Sequence, residues 1–397
     1  MSARAAVFLV MALAGVPIVD PTIAQVPAGW RAHVIDPRPA ALELRVRDTN
    51  SDGAADVLVL FADGTLRIYR NPGPEKSAEP WTVVEPQTAA GATTLAFIDN
   101  ETTGTRDFVT AATTSISLHL AGDGEQWHAD PVPDAPPLEW TAVAAADLDK
   151  RHGIDVVAGS RYQRAKLGWF ESLADPGESA GWRWHELTDA GWVSALRVED
   201  MNGDGAADIL YADRFGEYRG IYWLQNPLEL NANWTRHLIT ARPQEMVFLA
   251  LGDVDSDGFV DVLSAAKPDS VGLHRRRSAS GREWQTYGVK LSVASGSVDS
   301  VRLGDVNRDG RPDLVVALEG AETGQNGIVW LTYRRSFAED SWRQHEVSST
   351  AGGSFHGLEL LDLDGDGDLD ILTSESRNLG VVWFENPSAG RDPAVKK

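Results

Sequence analysis

One pattern returns seven times along this chain: a short loop with acidic or amide side chains at alternate positions, then glycine, then a further aspartate. Two copies are complete, running Asp253, Asp255, Asp257, Gly258, Asp261 and Asp362, Asp364, Asp366, Gly367, Asp370. Three more place Asn third: Asp48, Asn50, Asp52, Asp56; Asp200, Asn202, Asp204, Asp208; and Asp305, Asn307, Asp309, Asp313. Worn copies begin at Asp99 and Asp147. The spacing is about 50 residues, and self-similarity at such a period marks a repeat architecture that has to be settled before any local reading.

Oxygen ligands at alternate positions, with Gly at the sixth for the sharp turn, suit a hard cation such as calcium. An EF-hand would need a bidentate Glu at the twelfth position between two helices. The twelfth positions here are Val59, Tyr211, Ser264, Val316 and Thr373, and the loops run directly into β-branched stretches such as Val57-Leu58-Val59-Leu60. A β-hairpin with the ninth-position Asp closing the site is therefore expected, with about five structural Ca²⁺ sites in the five good loops. Arg151 stands at a ligand position in the third copy, so that site is expected to be empty, and the second copy to bind weakly or not at all.

Each repeat carries three further strand signatures. An apolar strand precedes the loop, as in Phe248 to Gly252 or Leu358 to Leu361, with small residues (Ala146, Gly252, Gly304) at its end. An aromatic strand ending in a turn follows, as in Trp383-Phe384-Glu385-Asn386-Pro387, since Asn-Pro initiates turns. The last is a Trp-x-x-His strand: Trp30/His33, Trp182/His185, Trp234/His237 and Trp342/His345, with weaker relatives at Trp81, Trp127 and Trp284. Four short strands per repeat make a propeller blade. The first Trp strand precedes every loop and the last repeat lacks one, so the N-terminal strand is expected to complete the final blade. The expectation is an all-β, seven-bladed propeller over residues 25–390, followed by a polar tail at 391–397. Trp and His three apart on a strand point to opposite faces, so both are read as packing residues.

Arg4 followed by the apolar run Ala5 to Val16 and the small residues around Ala24 reads as a Sec-type signal peptide over 1–24. Secretion or a periplasmic location, in a bacterium, is the expectation. The chain of 397 residues has no cysteine and no later run long enough to span a membrane. A net charge of −22 argues against nucleic acid as partner, and five divalent cations would cancel nearly half of it.

These loops resemble the FG-GAP/VCBS repeat family, found in integrin α-subunit propellers and in secreted bacterial proteins. The resemblance spans roughly residues 28–387, and it implies a calcium-binding propeller while saying little about activity. The Trp-x-x-His and Trp-Phe-x-Asn-Pro strands are more similar to bacterial and fungal propellers akin to sugar dehydratases. Such relatives carry a His shortly before the Asp loop; here His356 alone holds that place.

If the Asp loops share one face, the opposite face carries the candidate site. It gathers Arg161, Tyr162, Arg164 and Lys166 in the third repeat and Arg214, Glu217, Tyr218 and Arg219 in the fourth. Lys267, Glu319, Glu375, Arg377 and His356 follow in later repeats, with Trp192 and Glu245 on the preceding connections. Arg forks match carboxylates or sulfates, and aromatic faces stack on sugars. The first expectation is a monomeric binding module for acidic carbohydrate or a protein partner. The alternative is a polysaccharide lyase or sugar dehydratase working by β-elimination, with Arg161 or Arg214 neutralising a carboxylate and Tyr162, Tyr218 or His356 taking the adjacent proton.

Overall fold

The computed structural model describes residues 29–387 except 87–90, 99–106, 123–125, 174–180, 230–231, 242–243, 292–295, 334, 339–341 and 349–351. The expected signal segment, the C-terminal tail and most of the second Asp loop lie outside the described residues. Within them the chain is a seven-bladed propeller of four-stranded antiparallel sheets. The first blade is typical, running outward through β2 (Ala41–Arg47), β3 (Asp56–Phe61), β4 (Leu66–Arg70) and β5 (Thr82–Val84). The seventh consists of β26 (Phe355–Leu361), β27 (Asp370–Glu375), β28 (Gly380–Glu385) and, outermost, β1 (Arg31–Asp36), with His33 opposite Trp383. The ends of the chain thus close the ring in one sheet, and each blade keeps only the short outer edge of its fourth strand.

The second strand of each blade explains why the sequence shows apolar runs rather than alternation. Every residue of β3 and of β27 is buried, because a blade is covered on both faces by its neighbours. The apolar clusters accordingly bridge pairs of blades: Trp140, Val156 and Phe170 pack with Val109 and Ile116 from the preceding blade. The small residues before the loops answer the same crowding. A Cβ on Gly304 would come within 2.7 Å of Leu369 and 2.9 Å of Leu360 in the next blade.

The inner strands share a feature no repeat motif announces. In all seven blades the pairing of the first with the second strand slips five or six residues before the Asp loop, as between Ala41 and Glu43 or Val298 and Ser300. A bulge re-aims one side chain and tightens the local twist. Here it brings Thr93, Thr141, Ser194, Val247 and Asp299 into the lining of the axial opening. Thr141 Oγ donates to the Val193 carbonyl and Ser194 Oγ to that of Met246, both at 2.7 Å, so these bulges also tie the third blade to the fourth and the fourth to the fifth.

Candidate functional site

Each described Asp loop joins the first strand of its blade to the second, so these loops lie together on one face, as expected. Within each loop the carboxylates fold the backbone. The first-position Asp accepts the N–H of the sixth-position Gly, at 2.9 Å for Asp48 and Gly53 and 2.8 Å for Asp200 and Gly205. Those glycines sit at φ between 82° and 89°, where a Cβ would be strained. The fifth-position Asp accepts from the seventh residue, as Asp52 does from Ala54 and Asp309 from Arg311.

The ninth-position Asp does more than close the loop. Asp370 is fully buried; one oxygen accepts the Leu363 N–H at 2.8 Å and the other the Asn386 N–H at 2.9 Å. Asp56, Asp155, Asp208 and Asp261 repeat this double contact to the loop and to the end of the third strand. Burial, opposed by those N–H donors, pushes Asp208 and Asp370 up to about 7 and Asp155 to about 8.

The donor set suits a hard cation. Carboxylate oxygens of Asp253, Asp255 and Asp261 lie within 4.8 Å of one another, as do those of Asp362, Asp364 and Asp370. One oxygen of Asp255 is buried with no hydrogen-bond partner. The seventh loop adds Asp368, which the sequence reading passed over: both its oxygens are buried and unpartnered, and burial and the charge of Asp366 push it to about 7. In the third loop Asp147, Asp149 and Asp155 converge equally well, and Arg151 is exposed beside them. Among the described residues, two loops already contain a cation. Buried Arg70 donates to Asp56 at 2.7 Å, and Arg275 pairs with Asp255 and Asp257.

The Trp-x-x-His histidines are structural. Each stacks on a third-strand Trp, His33 on Trp383 with centroids 4.2 Å apart and His345 on Trp330 at 4.1 Å. Each also bonds a side chain beside it, as His33 does Glu385 at 2.7 Å and His185 does Glu171 at 2.8 Å.

On the opposite face the structure brings together part of the expected cluster. Trp192 pairs through its backbone with Arg161, at the end of β11 (Asp155–Arg161), and lies between two guanidiniums. Arg161 Cζ is 5.0 Å and Arg214 Cζ 4.8 Å from its ring centre. Tyr162 meets Trp192 edge-on at 5.6 Å, is 54% exposed and holds φ 69°, a strained backbone for a bulky residue. Buried Asp213 fixes the platform by accepting the N–H of Gly191 and of Trp192 at 2.8 and 2.9 Å; a carboxylate ending a strand gave no sequence signal of that role. Arg161 pairs with Glu139 and Arg214 with Glu245, so the platform is charge-balanced. Beneath it opens a cavity of about 260 Å³ lined by Arg161, Trp192 and Arg214. It shares Thr93, Thr141, Ser194 and Val247 with an axial cavity of about 220 Å³, so the two form one funnel.

The other expected residues divide. Tyr218 is outside this lining, under Arg236. Lys166 is taken by Glu186 and Asp189. Glu375 is a structural residue rather than a ligand-facing one: buried, it accepts the N–H groups of Ser354, Arg377, Asn378 and Leu379. His356 stands in the acidic part of the rim. Its Nδ1 is 3.3 Å from Asp299 and its Nε2 3.2 Å from Ser354 Oγ, with Glu319 close by and held by Lys267.

Residues 253–316 and 305–373 each match the model of the FG-GAP-like repeat. No curated protein matches the chain. Among solved structures it is similar to BBS1N in complex with ARL6DN from a mercury-soaked crystal, at 14% identity and TM-score 0.54 over 92% of this chain and 96% of that one. It is also similar to YCF48 from Cyanidioschyzon merolae, at 11% identity and TM-score 0.55 over 91% and 99%. At such identity the likeness is one of fold. Among the described residues no helix is long and apolar enough to cross a membrane.

Proposed function

Since the chain is a propeller carrying FG-GAP-like repeats, a fold of binding and interaction modules, we propose that it binds carbohydrate at the funnel mouth and is braced by calcium on the opposite face. The observation that carries the ligand reading is the Trp192 platform. An indole fixed by Asp213 and flanked by Tyr162 offers apolar faces to a sugar ring, while the Arg161–Glu139 and Arg214–Glu245 pairs present donors and acceptors to hydroxyls. Calcium would be held by the alternating Asp and Asn side chains of the five good loops, supplying cross-links to a chain without cysteine. Affinity in the 10⁻⁴–10⁻³ M range of extracellular modules suits a secreted or periplasmic protein, in keeping with the leader-like start.

Calorimetric titration of the mature chain with acidic and neutral oligosaccharides tests the ligand reading. Trp192→Ala is expected to weaken binding roughly ten- to a hundredfold at unchanged melting temperature. Binding that is indifferent to Trp192 and Arg161, or captured only by protein partners, overturns it.

A second reading is β-elimination, favoured by the Asp299–His356 contact on the rim of a funnel that also holds Arg161 and Arg214. It predicts ultraviolet absorbance from unsaturated uronate on incubation with uronic polymers, lost in His356→Gln. Binding of those polymers without new absorbance excludes it.

A further inference from the structure

The platform at the mouth pairs each of its arginines, whereas the axial cavity below it, lined by Arg45, Arg197, Glu43 and Asp299, leaves one guanidinium without a carboxylate of its own among the described residues. Three inner strands place arginine at the same position, three residues before the loop: Arg45 in β2, Arg197 in β14 (Val193–Glu199) and Arg302 in β22 (Ser297–Gly304). All three donate through Nη1 to the carbonyl of the preceding residue, which fixes the guanidiniums in one orientation relative to their strands. Two have counter-ions. Arg45 pairs with Glu43, and Arg302 holds Glu359 through two bonds of 3.0 and 2.7 Å. Arg197 has no carboxylate partner among the described residues. Its neighbours around the ring place Ala144 and Ala250 at the equivalent position. Its remaining contact is the ring of Phe248, 5.6 Å from Cζ. The guanidinium is half-buried in the lining of the 220 Å³ cavity. Burial, together with the charges of Arg45 and Arg302, lowers it to about 9.

A half-buried guanidinium with no carboxylate of its own, sharing the cavity lining with Arg45, is costly unless an anion joins it. We propose that the axial cavity is an oxyanion site in which Arg197 provides the fork for a carboxylate or sulfate group. A planar fork fits two oxygens of either group; the Thr141 and Ser194 hydroxyls on the walls already donate to the Val193 and Met246 carbonyls, so the guanidinium is the donor an anion meets. The cavity opens through the funnel, so the oxyanion arrives either as a free ion or as the acidic substituent of a sugar seated on Trp192. The site itself does not depend on the carbohydrate reading.

The test uses the mature chain with calcium present, titrated with sodium sulfate against sodium chloride at matched ionic strength, and with galacturonate against galactose. Sulfate is expected to bind saturably and raise the melting temperature of the wild type. Arg197→Gln should abolish that response while melting no lower than wild type in chloride, because its loss relieves repulsion with Arg45 and Arg302. Arg197→Lys, which keeps the charge but not the fork, should retain a response weakened at least about tenfold. If galacturonate binding is lost in both Arg197→Gln and Trp192→Ala while sulfate binding survives Trp192→Ala, the anion is a sugar substituent. If sulfate and galacturonate both ignore Trp192, the site takes free oxyanions and the carbohydrate reading fails alone. A sulfate response equal in wild type and Arg197→Gln, or no saturable response to either anion in the wild type, overturns the oxyanion site.

Discussion

On the loop face Asp56, Asp208, Asp261 and Asp370 have nearly interchangeable surroundings, each holding one backbone N–H of its loop and one at the end of the third strand. On the funnel face the blades diverge: the second strands of the third, fourth and fifth end in Arg161, Asp213 and Lys267, while the sixth and seventh share a glutamate, Glu319 and Glu375. The loop face repeats because each blade must solve the same problem of turning a buried hairpin without unsatisfied backbone. The funnel mouth is free of that demand, so its positions can differ, and a ligand site can be assembled from single residues of different blades. Repetition therefore reports stability here, and its breakdown reports specificity.

Removing metal from the loop face should give the largest effect. A ligand present at a hundred times its dissociation constant stabilises by about 2.7 kcal/mol per site, so several calcium sites acting together should shift the melting temperature by many degrees. Unfolding with calcium and with excess chelator checks this. Identical curves would reduce the loops to Asp-rich turns and leave the ring to its packing. Glycan binding at the funnel should weaken under chelation only as far as the fold itself is lost.

Two seventh-loop variants separate folding from ligation on that face. Asp370→Ala strands the N–H groups of Leu363 and Asn386 in the core, at a cost of about 2–5 kcal/mol whether or not calcium is present. Asp364→Asn removes a carboxylate whose ionisation is already disfavoured by burial and by the neighbouring Asp366 charge. Its chelated form should match wild type or exceed it slightly, with loss only in calcium. Equal losses for both variants in chelator would erase the distinction between the ninth position and the others.

What could be read in the sequence follows the same division. The loops, the blade count and the closing strand were legible because each rests on local chemistry copied several times. Glycine at a positive φ, carboxylates at alternate positions, and a Trp strand left over at the start where the last repeat lacks one need no tertiary information. The bulges were not legible, because pairing slips at residues as different as Leu42, Thr93, Val247, Asp299 and Gly357. Arg70 and Arg275 were missed as counter-ions because they reach the loops from the third strand of the blade. On the funnel face, composition pointed to Arg161, Tyr162 and Arg214 but gave Tyr218 and Glu375 equal standing. Only the fold shows that Glu375 spends its oxygens on four backbone N–H groups.

The smallest expected effect tests whether the acidic part of the funnel holds a titrating group that no Asp loop reproduces. Burial opposes the charged form of His356, but the hydrogen bond and charge of Asp299, with the charge of Glu319, outweigh burial and the opposing charge of Lys267. The net result raises it above 6.5. A histidine raised in the folded state contributes stability that is complete below 6.5 and lost as pH rises through the folded value. The calcium-saturated protein should therefore lose a little stability on going from mildly acidic to mildly alkaline pH. Both His356→Gln and Asp299→Asn should lessen that slope, the second by leaving the ring without its counter-charge, while the share of buried Asp155, which ionises in the same range, stays in all three proteins. Melting temperatures across this range for the three proteins decide it. A slope unchanged in His356→Gln would place the titration elsewhere and remove the charged imidazole from the funnel. A slope lessened in His356→Gln but kept in Asp299→Asn would make Glu319 the counter-ion and the Asp299 contact incidental.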